Sequence, residues 1–143
     1  MSNDTIKLLR ECSSGVKMGI TAIDDVLENV KSEDFMLLLK DSRNEHEKLE
    51  NEIIILLERA GDDGKEQHPI AKRMARLKCG AMLALDDSDK QIADVITDGC
   101  NMGVKSLHRY LNEYKAADEQ SRTIARRLVN IEERLTLDMR NYL

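Results

Sequence analysis

The sequence predicts an all-α protein in which two similar helical hairpins form a four-helix bundle, with an extra helix in the connection between them. Three observations support this prediction. Apolar residues recur at helical spacing, and Leu9, Val16, Ile23 and Val30 repeat every seven positions, as in helical bundles. The 143 residues include only seven glycines and one proline, so few positions interrupt a helix. A segment of the first helix also reappears later in the chain.

The reappearing segment is residues 15–30, GVKMGITAIDDVLENV, which aligns with residues 99–114, GCNMGVKSLHRYLNEY. The aligned positions include four glycines, namely Gly15, Gly19, Gly99 and Gly103. Glycine inside a helix costs about 0.5 to 1 kcal/mol relative to alanine, so these four predict close approach of a neighbouring backbone. A weaker match aligns the partner helices and places Glu50 over Glu132. The chain therefore reads as a duplicated helical hairpin.

The helix boundaries follow from capping signals. Ser32 and Ser88 are each followed by acidic residues or a glutamine suited to a first turn, whereas Gly61 suits a helix end and Pro69 a helix start. One domain, residues 1–143, is expected. Its predicted helices span about 3–30, 33–60, 69–85, 89–114 and 118–142.

Composition limits the classes of partner. The net charge of −5 and only four aromatic residues argue against a nucleic-acid surface. No apolar run approaches the roughly 20 residues of a membrane span, and the first residues lack the pattern of a secretory signal, so a cytoplasmic location is expected. The helix at 69–85 is locally basic; a solvated face is the expectation, with contact to an anionic membrane surface as the alternative.

His46 is the one candidate for site chemistry. Ser42 and His46 fall at the centre of the apolar face of the second helix, with Glu45 and Glu50 on its flanks, so His46 should point into the bundle. One interpretation is a neutral core histidine bonded to a partner such as Ser42. The other is an iron or zinc ligand, together with candidates on this and other helices: Glu45, Glu50, Cys100 and Glu132.

The duplicated hairpins, the long connection between them, and the motifs GVKMG and GCNMG resemble the bacterial ferritin-like four-helix-bundle domains of unknown function. The resemblance implies a bundle with one long crossover. Ferritin-like di-iron proteins carry a Glu on two helices and Glu-x-x-His on the other two. Here Val16 and Cys100 stand at the inward positions of the glycine-bearing helices, and Arg43 precedes His46 by three. The resemblance therefore implies a degenerate metal site.

The leading functional hypothesis is a non-enzymatic interaction or scaffold protein that needs no cofactor and has no catalytic residue. Leu37 and Ile55 lie opposite the buried face of the second helix, so a second subunit or the helix at 69–85 should cover them. The alternative is a metal-binding protein that uses His46. A more remote alternative is histidine phosphotransfer, which an inward-pointing His46 disfavours. The expected partners are another copy of the chain or another protein.

Overall fold

The computed structural model describes residues 2–62, 86 and 88–143. These residues form four α-helices and one short 3-10 turn: α1 (Asn3–Leu27), α2 (Glu33–Arg59), α3 (Asp89–Glu113), α4 (Glu119–Met139) and the turn Arg140–Tyr142. No strand occurs within these ranges. The all-α prediction is confirmed for this part of the chain, and four of the five predicted helices are present. The predicted helix at 69–85 lies outside the described residues, as does Cys79.

Each helix begins at a serine or aspartate whose side-chain oxygen accepts a hydrogen bond from a backbone N–H three residues later. The pairs are Ser2 with Thr5, Ser32 with Phe35, Ser88 with Gln91 and Asp118 with Ser121. Such caps stabilise a helix by about 0.5–2 kcal/mol each, and they fix where it starts. The predicted caps Ser32 and Ser88 are therefore confirmed.

Helix α1 ends at Leu27, three residues before the predicted end at residue 30. The N–H groups of Asn29 and Val30 bond carbonyls three residues back, at 3.0 and 3.3 Å, so the chain tightens into a turn there. This turn keeps the side chain of Val30 buried. Val30 thus continues the apolar spacing of α1 although it lies in the turn, and for this reason the spacing predicts a longer helix.

Helix α4 ends at Met139, also three residues before its predicted end at residue 142. The following 3-10 turn brings the ring of Tyr142 onto Phe35 at the start of α2, with ring centroids 4.4 Å apart. Stacked aromatic pairs of this kind stabilise beyond the area that they bury. The end of the chain is therefore attached to the first hairpin.

The buried apolar side chains form two clusters, one at each end of the bundle. The first core cluster draws on the N-terminal halves of α1 and α4 and the C-terminal halves of α2 and α3, and its large members include Leu8, Leu9, Val16, Leu49, Ile53, Leu57, Leu107, Leu111, Ile124 and Leu128. The second core cluster draws on the opposite halves, and includes Ile23, Val26, Phe35, Leu39, Ile92, Ile96, Leu135 and Met139.

These clusters define the directions of the helices. Helices α1 and α4 run from the first cluster to the second, whereas α2 and α3 run the other way. The pairs α1–α2 and α3–α4 are antiparallel hairpins, α2 also contacts α4, and α1 contacts both α3 and α4. Since α2 ends beside the first cluster and α3 begins beside the second, the connection between Asp62 and Ser88 joins opposite ends of the bundle.

Candidate functional site

Polar groups occur inside the bundle where the two core clusters meet. Each helix contributes one residue at this height of the bundle. Along the sequence, each of them lies between a residue of the first core cluster and a residue of the second: Gly19, His46, Gly103 and Glu132. We call these four residues the polar level. Gly19, for example, lies between Val16 of the first cluster and Ile23 of the second. His46 and Glu132 therefore place buried polar side chains between the two apolar clusters.

His46 is 1% exposed, so the prediction that it points into the bundle is confirmed. Its Nδ1 lies 2.7 Å from the backbone carbonyl oxygen of Ser42, one turn back. A carbonyl oxygen only accepts, so Nδ1 carries a hydrogen, and in the neutral ring Nε2 is then unprotonated. Burial lowers the pKa of His46, which keeps the ring neutral.

The bond to Ser42 was expected, but its partner atom is the backbone carbonyl and the serine hydroxyl is not involved. The Ser42 Oγ is itself buried without a hydrogen-bond partner among the described residues. A phosphodonor would need access to the His46 ring, and the ring is buried. The two polar residues predicted at the centre of the α2 face thus lie inside the bundle.

Glu50 lies one turn beyond His46 and is also buried, with 8% of its surface exposed. Its Oε1 accepts a hydrogen bond from Ser13 Oγ on α1 at 2.8 Å and lies 3.9 Å from Lys17 Nζ. Burial raises the pKa of Glu50, while the Ser13 bond and the Lys17 charge oppose this rise. Ser13 and Lys17 were not predicted; they lie one turn apart, a spacing that places them on the same side of α1.

Glu132 on α4 is 6% exposed, and its Oε2 is buried without a hydrogen-bond partner among the described residues. Burial raises the pKa of Glu132 to about 8. Burial therefore favours the protonated, uncharged form of the side chain at neutral pH. Glu50 and Glu132 align in the weaker repeat match but have different surroundings. Lys17 lies near the Glu50 carboxylate, whereas Glu132 has no ion pair among the described residues.

Two buried cysteines lie on the other two helices, Cys12 on α1 and Cys100 on α3. Burial raises the pKa of Cys12 to about 12, and the charges of Glu11, Glu50 and Glu132 add to this effect. Burial also raises the pKa of Cys100, and the charge of Glu132 contributes. Reactive cysteines have lowered pKa values, so both thiols are of the inert, structural kind.

The glycines of the repeated segment do not share one packing role. A Cβ on Gly19 would lie 2.8 Å from His46 Nε2, and a Cβ on Gly103 would lie 2.9 and 3.0 Å from Glu132 Oε1 and Cδ. A Cβ on Gly15 would make an ordinary 3.5 Å contact with Leu128, and one on Gly99 would have no heavy atom within 4 Å.

The atoms nearest to an added Cβ at Gly15, Gly19 and Gly103 belong to side chains, and not to the neighbouring backbone that the prediction expects. At Gly19 and Gly103 the missing side chain makes room for a buried polar side chain of the adjacent helix in the same hairpin. Gly15 has ordinary contact distance, and Gly99 is exposed. Among the four aligned glycines, an added Cβ would thus be crowded only at Gly19 and Gly103.

The candidate metal ligands are only partly brought together. Four of the five are buried inside the bundle: His46, Glu50, Cys100 and Glu132. Glu45 instead lies outside the interior, on the side of α2 that faces α4, where its carboxylate pairs with Arg134 at 3.3 Å. Glu45, predicted on the flank of the apolar face and offered as a candidate ligand, is therefore apart from the four buried candidates.

The donor geometry does not match that of a metal centre. Within residues 2–62, 86 and 88–143, no group of three or more His, Cys, Asp or Glu side chains is arranged to hold a metal ion. The ligating nitrogen of neutral His46, Nε2, lies against Gly19. The residues as arranged do not fit an iron or zinc site, and iron or zinc binding stays a prediction.

The outer surface between α2 and α4 is the second candidate site. Two ion pairs bridge the helices there: Glu52 with Arg127, at 2.5 and 3.0 Å, and Glu45 with Arg134. A groove lies along the helices beyond each pair, one of about 450 Å³ beside the first core cluster and one of about 370 Å³ beside the second. We call this surface the α2–α4 face.

Each groove of the α2–α4 face is bordered by an apolar side chain that is open to solvent. Leu37 is 59% exposed and borders the second groove, and Ile55 is 48% exposed and borders the first. The prediction that both side chains point away from the core is confirmed. The first groove also has an apolar floor that includes Leu56 and Ile124, both of them core residues.

No family model, curated protein or solved structure matches this chain. None of the four described helices combines the length and the apolar character that crossing a bilayer requires.

Proposed function

We propose that this is a non-enzymatic, cytoplasmic helical-bundle protein that acts as an interaction or scaffold protein and self-associates through the α2–α4 face. The observation that carries the proposal is the exposure of Leu37 and Ile55 along one side of α2, each beside a groove. Fully burying such a side chain contributes about 1.5–3 kcal/mol, so an apolar pair beside open grooves favours protein contact.

The interior supports a structural role for its polar groups. Burial lowers the pKa of His46 and raises those of Glu132, Cys12 and Cys100, so each of these groups favours its uncharged form. General acid–base or nucleophilic catalysis requires a group that substrate can reach. The described groups with the largest pKa changes in this interior are instead shielded from solvent.

A ferritin-like bundle derived from a duplicated hairpin is the proposed scaffold. Two observations support it. The connection between α2 and α3 joins opposite ends of the bundle, as the single long crossover of that topology requires. In addition, Gly19 and Gly103, which align in the repeat, each make room for a buried polar side chain of the next helix.

Sedimentation equilibrium of the full chain tests the proposed self-association. We expect a reversible dimer that Leu37→Asp or Ile55→Asp weakens at least tenfold, because each removes about 1.5 kcal/mol or more of apolar burial. Leu137→Asp is the matched control, since Leu137 is a 53% exposed leucine of α4 that borders neither groove. A monomer at all concentrations, or equal weakening by all three substitutions, would contradict the proposal.

Iron or zinc binding through His46 is the second candidate. Four of its candidate ligands are buried in the bundle, namely His46, Glu50, Cys100 and Glu132, although no described group of such side chains is arranged to hold an ion. Elemental mass spectrometry of untagged protein, prepared without chelator and under reducing conditions, measures the metal content per chain. About one ion per chain that His46→Ala removes would support metal binding. Substoichiometric metal, or metal that His46→Ala leaves in place, would eliminate it.

A further inference from the structure

We infer that the α2–α4 face binds a second copy of this chain with the two α2 helices antiparallel about a two-fold axis. This inference rests on the proposed self-association. Leu37 and Ile55 are eighteen residues apart, which is five turns and about 27 Å of helix, so they lie on one line along α2. In the antiparallel arrangement Leu37 of each copy lies opposite Ile55 of the other, and one symmetric contact covers all four side chains.

The first groove has an apolar lining that suits Leu37 of the partner subunit, the side chain that this arrangement brings to it. Ile55, Leu56 and Ile124 form its apolar lining, at the point where Leu37 of the partner subunit would insert. By symmetry Leu37 of the first copy enters the first groove of the second. A knob from one helix packed between the helices of another is the usual geometry of bundle interfaces.

The charges along α2 favour the antiparallel over the parallel arrangement. Asp41 and Lys48 lie between Leu37 and Ile55 on the same side of the helix, and both are exposed. With Leu37 opposite the partner's Ile55, Lys48 falls within one turn of the partner's Asp41. The parallel arrangement would instead place Lys48 against the partner's Lys48, which is repulsive.

The ends of α2 are complementary in the same register. Arg59, the last residue of the helix, falls opposite Glu33, the first residue of the partner's α2. Asp34 follows Glu33 and borders the second groove, which also carries Asp41, Glu45 and Asp138. The border of the second groove, whose charged residues are acidic apart from Arg134, thus meets Arg59 of the other copy. Arg59 borders the first groove together with Arg127, Glu52 and Glu119.

A charge exchange tests the register. In sedimentation equilibrium, Lys48→Asp or Asp41→Lys alone should weaken the dimer about three- to tenfold, because two exposed ion pairs become two like-charge pairs. The double variant Asp41→Lys/Lys48→Asp should return the dissociation constant to within about threefold of the starting value. A double variant as weak as the two single changes combined would overturn the antiparallel register.

Cross-linking, at protein concentrations where the dimer is populated, supplies a second readout that reports which residues lie opposite one another. In a Cys79→Ser background, a short bifunctional maleimide should join a Leu37→Cys chain to an Ile55→Cys chain, and neither chain to itself. The native Cys12 and Cys100 are buried and should not react. Cross-linking of Leu37→Cys chains to one another would show a parallel pair and overturn the inference.

The two tests separate the inference from the proposed function. If the chain dimerises and Leu37→Asp disrupts the dimer, but the mixed cross-link fails to form, then only the antiparallel arrangement is overturned. If the chain is a monomer, both are overturned, and the α2–α4 face would then be covered by another protein or by residues 63–85 of the same chain.

Discussion

Gly19 on α1 and His46 on α2 lie so close that a methyl group on the glycine would sit 2.8 Å from the imidazole Nε2. The ring cannot retreat easily, because its other nitrogen donates to the Ser42 carbonyl oxygen at 2.7 Å and the side chain is 1% exposed. Glycine at position 19 is therefore less favourable for the helix than alanine, but it leaves room for the buried imidazole of His46.

Gly19→Ala is expected to destabilise the protein by about 1–3 kcal/mol. Overpacking a fixed, buried ring costs about this much, and it exceeds the gain of up to about 1 kcal/mol from the higher helix propensity of alanine. The change in the free energy of unfolding is measured by urea denaturation followed by circular dichroism.

Gly15→Ala provides the control for this prediction on the same helix. Its Cβ would meet only Leu128 at 3.5 Å, an ordinary contact, so alanine should be neutral or stabilise by up to about 1 kcal/mol. Equal effects of the two substitutions would show that the His46 ring moves freely and is not fixed by the Ser42 bond.

Gly103→Ala should cost less than Gly19→Ala, although the added Cβ would also be crowded. The atoms near Gly103 belong to the carboxyl end of Glu132, whose Oε2 has no hydrogen-bond partner among the described residues to hold it. We expect destabilisation of about 0–1 kcal/mol in urea denaturation, because rotation of the flexible side chain relieves most of the crowding.

Gly99→Ala is the matched control on α3. Nothing lies within 4 Å of its added Cβ, and Gly99 is exposed, so the helix propensity of alanine should stabilise the protein by up to about 1 kcal/mol. Destabilisation by Gly99→Ala would mean that the aligned glycines do share a packing role, contrary to the geometry.

Helical periodicity and capping signals predict some features of this protein and not others. The spacing of apolar residues identifies the buried side of each helix, and the caps identify its start, so the inward position of His46 and the caps Ser32 and Ser88 were predictable. Both depend on residues close together in the chain. The contacts of Gly19 and Gly103 depend on which side chain of the neighbouring helix lies at the same height.

Glu45 and Glu50 illustrate the same limit. Both flank the apolar face around His46 on the helical wheel, so the sequence alone cannot distinguish them as candidate ligands. Glu50 faces α1, where Ser13 donates to it, and is buried; Glu45 lies on the opposite flank near α4 and pairs with Arg134 at the surface. Only the positions of the neighbouring helices distinguish the two carboxylates.

The native thiols should react slowly. Cys12 is fully buried and Cys100 is 7% exposed, and burial raises the pKa of both, so little thiolate is available to a disulfide reagent. In a Cys79→Ser variant, we expect labelling by Ellman's reagent to require unfolding, and to accelerate in urea in proportion to the unfolded fraction. Rapid labelling of both thiols in native buffer would contradict the described packing.

Glu132 should make the stability of the protein fall as the pH rises. Its pKa is about 8 in the folded chain against 4.5 ordinarily, so between these values the folded state holds a proton that the unfolded state has released. Stability then decreases with pH by up to about 1.4 kcal/mol per unit over this window, and the loss is complete above pH 8.

Glu132→Gln removes this titration and keeps the shape of the side chain. At pH 7 the variant should be more stable than the parent by about 1–3 kcal/mol, and at pH 5 the two should differ little. Glu133→Gln, at the exposed neighbouring position, should change neither value by more than about 0.5 kcal/mol. Urea denaturation at pH 5, 7 and 8.5 measures all three proteins. Parallel pH profiles for the parent and Glu132→Gln would contradict this prediction. They would mean that Glu132 gains a partner or water in solution and ionises normally, because only a carboxyl that stays protonated in the fold couples stability to pH in this range.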